Sequence, residues 1–297
     1  MPELPEVQTV VATLRPRLVG RRFAAVRLLR QDIVEPAGTD LPALLTGRSV
    51  RAIDRRGKRI IITLDDGNRF FIHLGMTGQL TITDAGAEVQ PHTHLLVDLT
   101  PEEKDGRGDG VKGGRGERED DCKVQSANCN PNLQLRFRDP RRFGGIWWLG
   151  LADCDEGMGP EPLIVRPHEL SERLSRTTRA IKNALLDQSV LAGLGNIYVD
   201  ESLFLARIHP LTPANTLAED QIARLNRAIK STLRQAIRSR GSTLRDYRDA
   251  NGSVGDYQSK HKVYGREGET CRTCRTPIER IVLGGRSTHF CPKCQPR

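Results

Sequence analysis

Apolar residues recur at helical spacing at the start of the chain and again throughout its second half. The first stripe predicts an amphipathic helix over residues 3–18, and its members are Val7, Val10, Val11, Leu14 and Leu18. Helical spacing returns around residues 181–186 and 197–206 and in a longer segment after Thr216. In that last segment Thr216-x-x-Glu219 predicts a capping box at the start, and Gly241 predicts the end.

Short apolar runs of strand length lie between these two helical regions. They predict strands at residues 23–29, 60–64, 70–74, 94–99 and 133–137. The polar sequence DDGN at 65–68 predicts a hairpin turn between two of them. Strands joined by turns favour an antiparallel sandwich or barrel over a parallel α/β sheet. The predicted fold class is therefore α+β, with an N-terminal helix and an antiparallel β-sandwich followed by a helical domain.

Changes in composition divide the chain. A segment rich in Gly, Asp and Pro near residues 149–162 predicts a boundary between domains at 1–150 and 151–260, with residues 261–297 as a third unit. Residues 101–132 form an insertion that we expect to be largely disordered, because residues 101–121 hold six glycines, thirteen charged residues and one aliphatic residue. The alternative, an accessory arm for nucleic acid, is disfavoured by eight acids against five bases.

The charge balance favours a polyanionic partner. Lys and Arg number 46 against 37 Asp and Glu, which gives a formal charge of +9, although a merely basic protein would show the same excess. No apolar run is long enough to span a membrane, and no secretory signal begins the chain. The odd number of seven cysteines argues against a secreted disulfide framework. We therefore expect a cytoplasmic protein without a membrane partner.

The C-terminal segment carries a predicted zinc site. Cys271-x-x-Cys274 and Cys291-x-x-Cys294 are separated by sixteen residues, and four thiolates complete a tetrahedral Zn²⁺ shell. Free thiols or a redox pair are the alternatives. A filled shell leaves no open position, so the metal should be structural. Arg286 lies between the two cysteine pairs in a glycine- and hydroxyl-rich segment that suits a phosphate, although a zinc ribbon could equally bind protein.

The N-terminus offers a candidate nucleophile. Removal of Met1 would leave Pro2 with a free secondary amine, which titrates near neutral pH and forms a cationic iminium with an aldehyde-level carbon. Glu3 and Glu6 could move protons beside it. Taken alone, the segment is better explained as a proline-rich helix start with acids at its positive end.

Further motifs occur in order along the chain. They are PELPEV at 2–7, RGKR at 56–59, HLGMTG at 73–78, DPRRFG at 139–144, GLGNIY at 193–198, VYGR at 263–266 and the four-cysteine site. In this combination the chain resembles the formamidopyrimidine-DNA glycosylases, bacterial enzymes that act on oxidised purines. The resemblance covers nearly the whole chain except residues 101–132. It implies a β-sandwich domain, a helix–two-turn–helix domain and a zinc finger.

The resemblance also implies roles for particular residues. Pro2 would form the Schiff base, Glu3 would be its acid/base partner, Lys58 the donor in β-elimination and Arg286 the donor in δ-elimination. Six further residues match DNA contacts of the family. These are Met76, His92, Arg141, Phe143, Lys182 and Asn196.

Three of these contacts have a clear physical purpose, because a damaged base must leave the stack and something must fill the gap. Met76, Arg141 and Phe143 match the family's wedge, although ordinary core packing is the alternative for the methionine and the phenylalanine. His94 competes with His92 for its role. Residues 246–257 correspond to the family's loop over the extruded base.

The resulting expectation is a monomeric bifunctional enzyme that binds duplex DNA carrying oxidised bases, in a bacterial cytoplasm and on the nucleoid through its DNA binding. One structural zinc is the only cofactor expected. The rivals are an oxidised-pyrimidine glycosylase of the same superfamily and a non-catalytic DNA-binding zinc protein.

Overall fold

The computed structural model of the protein describes residues 2–100, 133–153, 155 and 157–297. These residues have the predicted α+β architecture, with sheets and a helix in the first half and helices in the second. The disordered insertion predicted at 101–132 lies outside the described residues.

The N-terminal helix, α1 (Leu4–Leu18), confirms the prediction from the apolar stripe. Pro5 lies in the first turn, where a missing N–H costs no hydrogen bond. Glu3 occupies the N-cap, and its own N–H donates to Glu6 Oε2 over 2.8 Å. The start of the helix therefore carries two acidic side chains, Glu3 and Glu6, and both of them are buried.

The N-terminal domain is built from two sheets that pack around α1. The strands and the short helix between them are β1 (Phe23–Leu28), β2 (Val34–Glu35), α2 (Leu41–Leu45), β3 (Val50–Arg56), β4 (Arg59–Leu64), β5 (Arg69–His73), β6 (Gln79–Asp84), β7 (Thr93–Leu99), β8 (Leu133–Arg138) and β9 (Gly145–Gly150). One sheet has the order β1-β7-β8-β6, and the other has the order β2-β9-β5-β4-β3. Apolar side chains of both sheets and of α1 form a single core.

The five predicted strands are present, and the DDGN turn joins β4 to β5 in antiparallel register. Strands β2, β3, β6 and β9 of this domain were not predicted. Strands β7 and β8 are antiparallel neighbours, with Leu99 opposite Leu133. The insertion therefore begins and ends beside a single pair of adjacent strands, where a long connection costs little entropy.

The second half is helical, as the spacing predicts. Its helices are α3 (Pro167–Ser175), α4 (Ile181–Leu186), α5 (Asn196–Ala206) and α6 (Glu219–Arg238). They share a second apolar core, and Leu4 of α1 is the one residue of the N-terminal helix that joins it. Leu4 directly follows Glu3, and the rest of the buried apolar face of α1 packs in the first core, so the two domains meet at the start of this helix.

The predicted start of α6 was wrong by one half-turn. Its N-cap is Ala218, whose N–H donates to Gln221 Oε1 over 2.9 Å, whereas Thr216 belongs to a preceding 3-10 turn. The proline directly before that turn explains the difference, because the Thr216 hydroxyl donates to the Pro213 carbonyl. The predicted end is confirmed: Gly241 has φ +79° and donates to the Ala236 carbonyl over 2.8 Å.

The chain closes with a hairpin of β10 (Glu279–Leu283) and β11 (Arg286–Phe290) that lies between the two cysteine pairs. Gly284 and Gly285 form its two-residue turn with φ of +56° and +73°. Two consecutive positive φ values are those of the turn that matches strand twist, and glycine adopts them without strain. Within the described part of the chain, no helix combines the length and apolar character that crossing a bilayer requires.

Candidate active site

The carboxylate of Glu3 lies at the N-terminus of α5. It accepts the Ile197 N–H over 2.9 Å and the Tyr198 N–H over 3.4 Å. These donors belong to the first turn of the helix, where the partial positive charge of the helix end favours an anion. A Cβ on Gly195 would lie 2.3 Å from Glu3 Cδ. Glycine at that position is therefore what lets the carboxylate reach the helix.

The pKa of Glu3 is raised by burial from 4.5 to about 7. The positive charge of Lys58 and the two helix N–H groups act in the opposite direction, and the negative charge of Glu6 adds to the effect of burial. A carboxyl group that titrates near neutrality is present in both protonation states. It can therefore accept a proton in one step and donate it in another.

Lys58 lies in the turn between β3 and β4 and is 8 % exposed. Burial lowers its pKa; the Glu3 carboxylate opposes that effect, and the charge of Arg286 reinforces it. Glu161, from the segment between the domains, holds the turn by accepting the Gly57 N–H over 2.6 Å and the Arg55 guanidinium over 2.6 Å. Both domains thus fix the position of this lysine.

Pro2 is buried and directly precedes Glu3. The backbone that follows Glu3 is fixed, because the Leu4 N–H donates to the Gly193 carbonyl over 3.1 Å. Gly193 has φ +85°, and a Cβ there would approach Leu4 to 2.8 Å. The GLGN turn of the helical domain, at residues 193–196, therefore contacts the N-terminal segment and holds it in place.

Glu6 is the centre of a buried polar cluster that the sequence did not reveal. Its Oε1 accepts the Tyr198 hydroxyl over 2.5 Å and the Ser242 N–H over 2.7 Å. Burial raises its pKa against these hydrogen bonds. A Cβ on Gly241 would lie 2.6 Å from Glu6 Oε1. Ser242 is 236 residues from Glu6 along the chain, so no local pattern could have paired them.

The three predicted wedge residues lie together on the surface. Met76 is 40 % exposed and Phe143 is 55 % exposed, so neither is ordinary core. The Arg141 guanidinium lies 4.8 Å from the centre of the Phe143 ring. Exposed apolar side chains next to a cation suit stacking against unpaired bases.

Asp139 holds the two wedge loops together. It is fully buried, and its carboxylate accepts the Thr77 hydroxyl over 2.5 Å and the Gly144 N–H over 2.7 Å. A Cβ on Gly75 would lie 2.3 Å from the Gly144 nitrogen. The glycines therefore permit the close contact of the loops, and the aspartate fixes it.

The two candidate histidines, His92 and His94, differ in their exposure to solvent. His92 is exposed with φ +67°, and its carbonyl accepts the Asp139 N–H over 3.0 Å. His94 is buried, and its Nε2 lies 2.8 Å from the Asp139 carbonyl oxygen. Only His92 has a side chain available to a ligand in this structure.

Lys182 differs from its expected role as a phosphate contact. Its side chain is fully buried and its ammonium lies 2.7 Å from Asp200 Oδ1. It therefore has no surface to offer a phosphate. Asn196, in contrast, is half-buried and donates from Nδ2 to the Ser287 carbonyl over 2.9 Å. Both side chains point to the zinc hairpin.

The four predicted zinc ligands converge. The sulfur atoms of Cys271, Cys274, Cys291 and Cys294 all lie within 4.8 Å of one another. The Cys271–Cys294 and Cys274–Cys291 separations are 4.0 and 3.4 Å. Zn–S bonds of about 2.3 Å in a tetrahedron place sulfurs about 3.8 Å apart. The four thiolates therefore fit one structural zinc.

The segment that corresponds to the family's loop over the extruded base is partly buried in the core. In residues 246–257, Tyr247 and Ala250 are buried in the N-terminal core, and the Ala250 carbonyl accepts the Ile82 N–H over 3.0 Å. The Tyr247 hydroxyl donates to the Glu6 carbonyl over 3.2 Å. The loop of the helical domain is thus tied to the N-terminal domain beside the candidate active site.

Comparison with known proteins covers nearly the whole chain. Residues 1–146 match the formamidopyrimidine-DNA glycosylase N-terminal domain, residues 158–248 the H2TH domain of the same enzyme, and residues 268–297 the zinc finger found in FPG and IleRS. Relatives named formamidopyrimidine-DNA glycosylase include one from Herpetosiphon aurantiacus, with 44 % identity across 99 % of this chain and 100 % of the relative. One from Chloroflexus aggregans has 42 % identity across 99 % and 98 %.

Solved structures agree with these matches. The complex between Lactococcus lactis Fpg and DNA containing an abasic site has a TM-score of 0.83 and 34 % identity, and the match covers 99 % of this chain and 100 % of that one. A complex of the wild-type Lactococcus lactis Fpg with DNA containing N7-benzyl-Fapy-dG has the same TM-score and identity, with both chains covered in full.

Proposed function

The chain belongs to the formamidopyrimidine-DNA glycosylase family, and we propose that it removes oxidised purines such as 8-oxoguanine and formamidopyrimidines from duplex DNA and then nicks the strand at the abasic site. The observation that carries this proposal is the burial of Glu3, the residue that follows Pro2, together with Lys58, whose charge acts on the Glu3 carboxylate. DNA carrying such bases is the proposed partner.

The chemistry begins at the nitrogen of Pro2. In the chain as translated this nitrogen is part of the peptide bond to Met1, so the nucleophile exists only after Met1 is removed. The free secondary amine attacks C1′ of the extruded nucleotide, the glycosidic bond breaks, and the base leaves with the bonding electrons. The C1′–O4′ bond then breaks, O4′ takes up a proton as the sugar ring opens, and the product is a cationic iminium that serves as the electron sink for the later steps.

Glu3 and Lys58 handle protons around this cation. A carboxyl group with a pKa of about 7 can take the proton that the amine loses and return it to the opened sugar. Lys58 supports β-elimination, in which C2′ loses a proton and the 3′ C–O bond breaks. Arg286, whose charge acts on Lys58, supports the following δ-elimination at the 5′ phosphate.

The DNA contacts form the second part of the proposal. Met76, Arg141 and Phe143 fill the gap left by the extruded base, and the exposed guanidinium can pair with the orphaned cytosine. His92 and Asn196 lie on the surfaces that face the backbone of the duplex. The zinc hairpin clamps the strand from the other side.

Borohydride trapping on a duplex containing 8-oxoguanine tests the mechanism. The wild-type protein with Met1 removed should form a covalent complex, and a Pro2→Gly variant should form less. The matched control is the same protein with a short N-terminal extension, in which the Pro2 nitrogen remains an amide; this protein should form none. A cross-link that survives the extension would place the nucleophile on another residue, such as Lys58.

A parallel assay on a duplex containing thymine glycol addresses the substrate. Faster release of thymine glycol than of 8-oxoguanine would favour the oxidised-pyrimidine branch. Absence of trapping on either duplex would favour a non-catalytic DNA-binding protein.

A further inference from the structure

A fully buried ion pair joins α4 to α5. Lys182 Nζ lies 2.7 Å from Asp200 Oδ1, and both side chains are 0 % exposed. Removing two charges from water is unfavourable unless their remaining hydrogen-bonding capacity is also satisfied. The groups that satisfy it therefore indicate what the pair is positioned to hold.

The remaining bonds of the pair go to the backbone of β11. Lys182 Nζ donates to the Ser287 carbonyl over 2.8 Å, and Asp200 Oδ2 accepts the His289 N–H over 2.9 Å. Asn196 Nδ2 donates to the same Ser287 carbonyl. In a two-stranded hairpin each strand has one edge without a strand partner. The ion pair takes the place of that partner for β11.

The residue before Ser287 is Arg286, which is exposed at the start of β11, directly after the two-glycine turn. Its charge acts on both Lys58 and Lys182. Arg286 is therefore near enough to both lysines for its charge to act on them, and the carbonyl of the next residue in β11, Ser287, is held by the buried Lys182.

Helix α5 relates this anchor to the reacting groups. Its first turn holds the Glu3 carboxylate through the Ile197 N–H, and Asp200 follows three residues later on the same helix. A helix is rigid over one turn, with a rise of about 1.5 Å per residue. The separation between Glu3 and Arg286 is thus set by one short piece of helix and by the ion pair.

We propose that Asp200, acting through Lys182, is a positioning residue that holds Arg286 at the 5′ phosphate and thereby sets the share of δ-elimination among the products. This inference rests on the proposed function. In δ-elimination C4′ loses a proton to Glu3, the C5′–O bond breaks, and its electron pair leaves on the phosphate. Arg286 stabilises the developing charge on that phosphate with donated hydrogen bonds.

The test uses a duplex with a preformed abasic site, so that base removal does not enter, and resolves the β and β,δ products on a gel. Asp200→Asn should retain trapping and strand cleavage while the ratio of δ to β product falls about tenfold or more, because small displacements of a positioned group are costly. Arg286→Ala should give the same fall. The double variant should be no worse than Arg286→Ala alone, since the two changes remove one function.

Glu201→Gln is the matched control. This neighbouring carboxylate on α5 is equally buried, but it accepts the backbone N–H groups of Lys262, Val263 and Tyr264, not those of β11. Its product ratio should stay that of the wild type. An equal fall in this variant would show a general loosening of the zinc module and overturn the proposal.

Asp200→Asn leaves the buried Lys182 ammonium without a counter-charge and could unfold the protein. A second variant, Lys182→Met combined with Asp200→Leu, removes both charges, which folded proteins tolerate much better. It should show the same low ratio of δ to β product with full zinc content. A wild-type ratio in either folded variant overturns the role of Asp200, whereas absence of trapping in the wild-type protein overturns the proposed function itself.

Discussion

Replacement of Glu3 by glutamine should change how the stability of the protein depends on pH. The native pKa of this carboxyl group is about 7, against 4.5 for an ordinary glutamate, because it is buried. Between these two pH values the native state retains a proton that the unfolded chain has lost. The contribution of Glu3 to the free energy of unfolding is therefore largest below pH 4.5. It decreases as the pH rises towards 7 and does not recover above that pH.

The size of the effect follows from the two pKa values. At about 1.4 kcal/mol per pKa unit, the difference corresponds to about 3 kcal/mol. Glutamine does not titrate, so the free energy of unfolding of Glu3→Gln does not show this decrease with rising pH. Any hydrogen bond to the α5 N–H groups that the amide fails to replace lowers the free energy of unfolding of the variant by an amount that does not depend on pH. The stability of the variant relative to the wild type should thus rise by about 2–3 kcal/mol between pH 5 and pH 8.

Urea denaturation at several pH values measures this, with the fluorescence of Trp147 and Trp148 in β9 as the probe. Glu161→Gln is the control. Burial acts to raise the pKa of Glu161, but Arg55 outweighs it and holds the pKa below the ordinary value. That carboxylate loses its stabilising effect only below this pH range, so the control difference should be flat. Parallel curves for wild type and Glu3→Gln would refute the argument that burial dominates at Glu3.

Three further outcomes are expected. Gly195→Ala should reduce borohydride trapping about a hundredfold, because its Cβ would lie 2.3 Å from Glu3 Cδ; undiminished trapping would mean that the carboxylate need not touch α5. Cys274→Ser should abolish zinc uptake and DNA binding in a gel-shift assay while the N-terminal domain stays folded, and binding that persists would rule out the zinc hairpin as a clamp. Phe143→Ala should slow release of 8-oxoguanine yet change the free energy of unfolding by less than about 0.5 kcal/mol, because the ring is 55 % exposed; a large loss of stability would assign the ring to the core.

Local chemistry was readable from the sequence. The spacing of the four cysteines predicts the zinc site because a CxxC pair places two thiolates on one turn, and the structure brings all four sulfurs together. The apolar stripe of α1 and the DDGN turn were equally accurate, since helix periodicity and turn preference depend on neighbouring residues. The start of α6 was misplaced by the same kind of reasoning, because Pro213 offered Thr216 a competing local bond.

The properties that bear on reactivity required the tertiary structure. From the sequence alone, Pro2 and Glu3 are best explained as a capped helix start. The structure shows that the Glu3 carboxylate accepts the N–H groups of Ile197 and Tyr198, almost two hundred residues away. Lys182 read as a phosphate contact, and only the packing of α4 against α5 showed it buried against Asp200. The sequence determined which groups are present and the local elements that carry them. Burial and the long-range contacts that set their pKa and position arise from packing between distant segments, which no local pattern encodes.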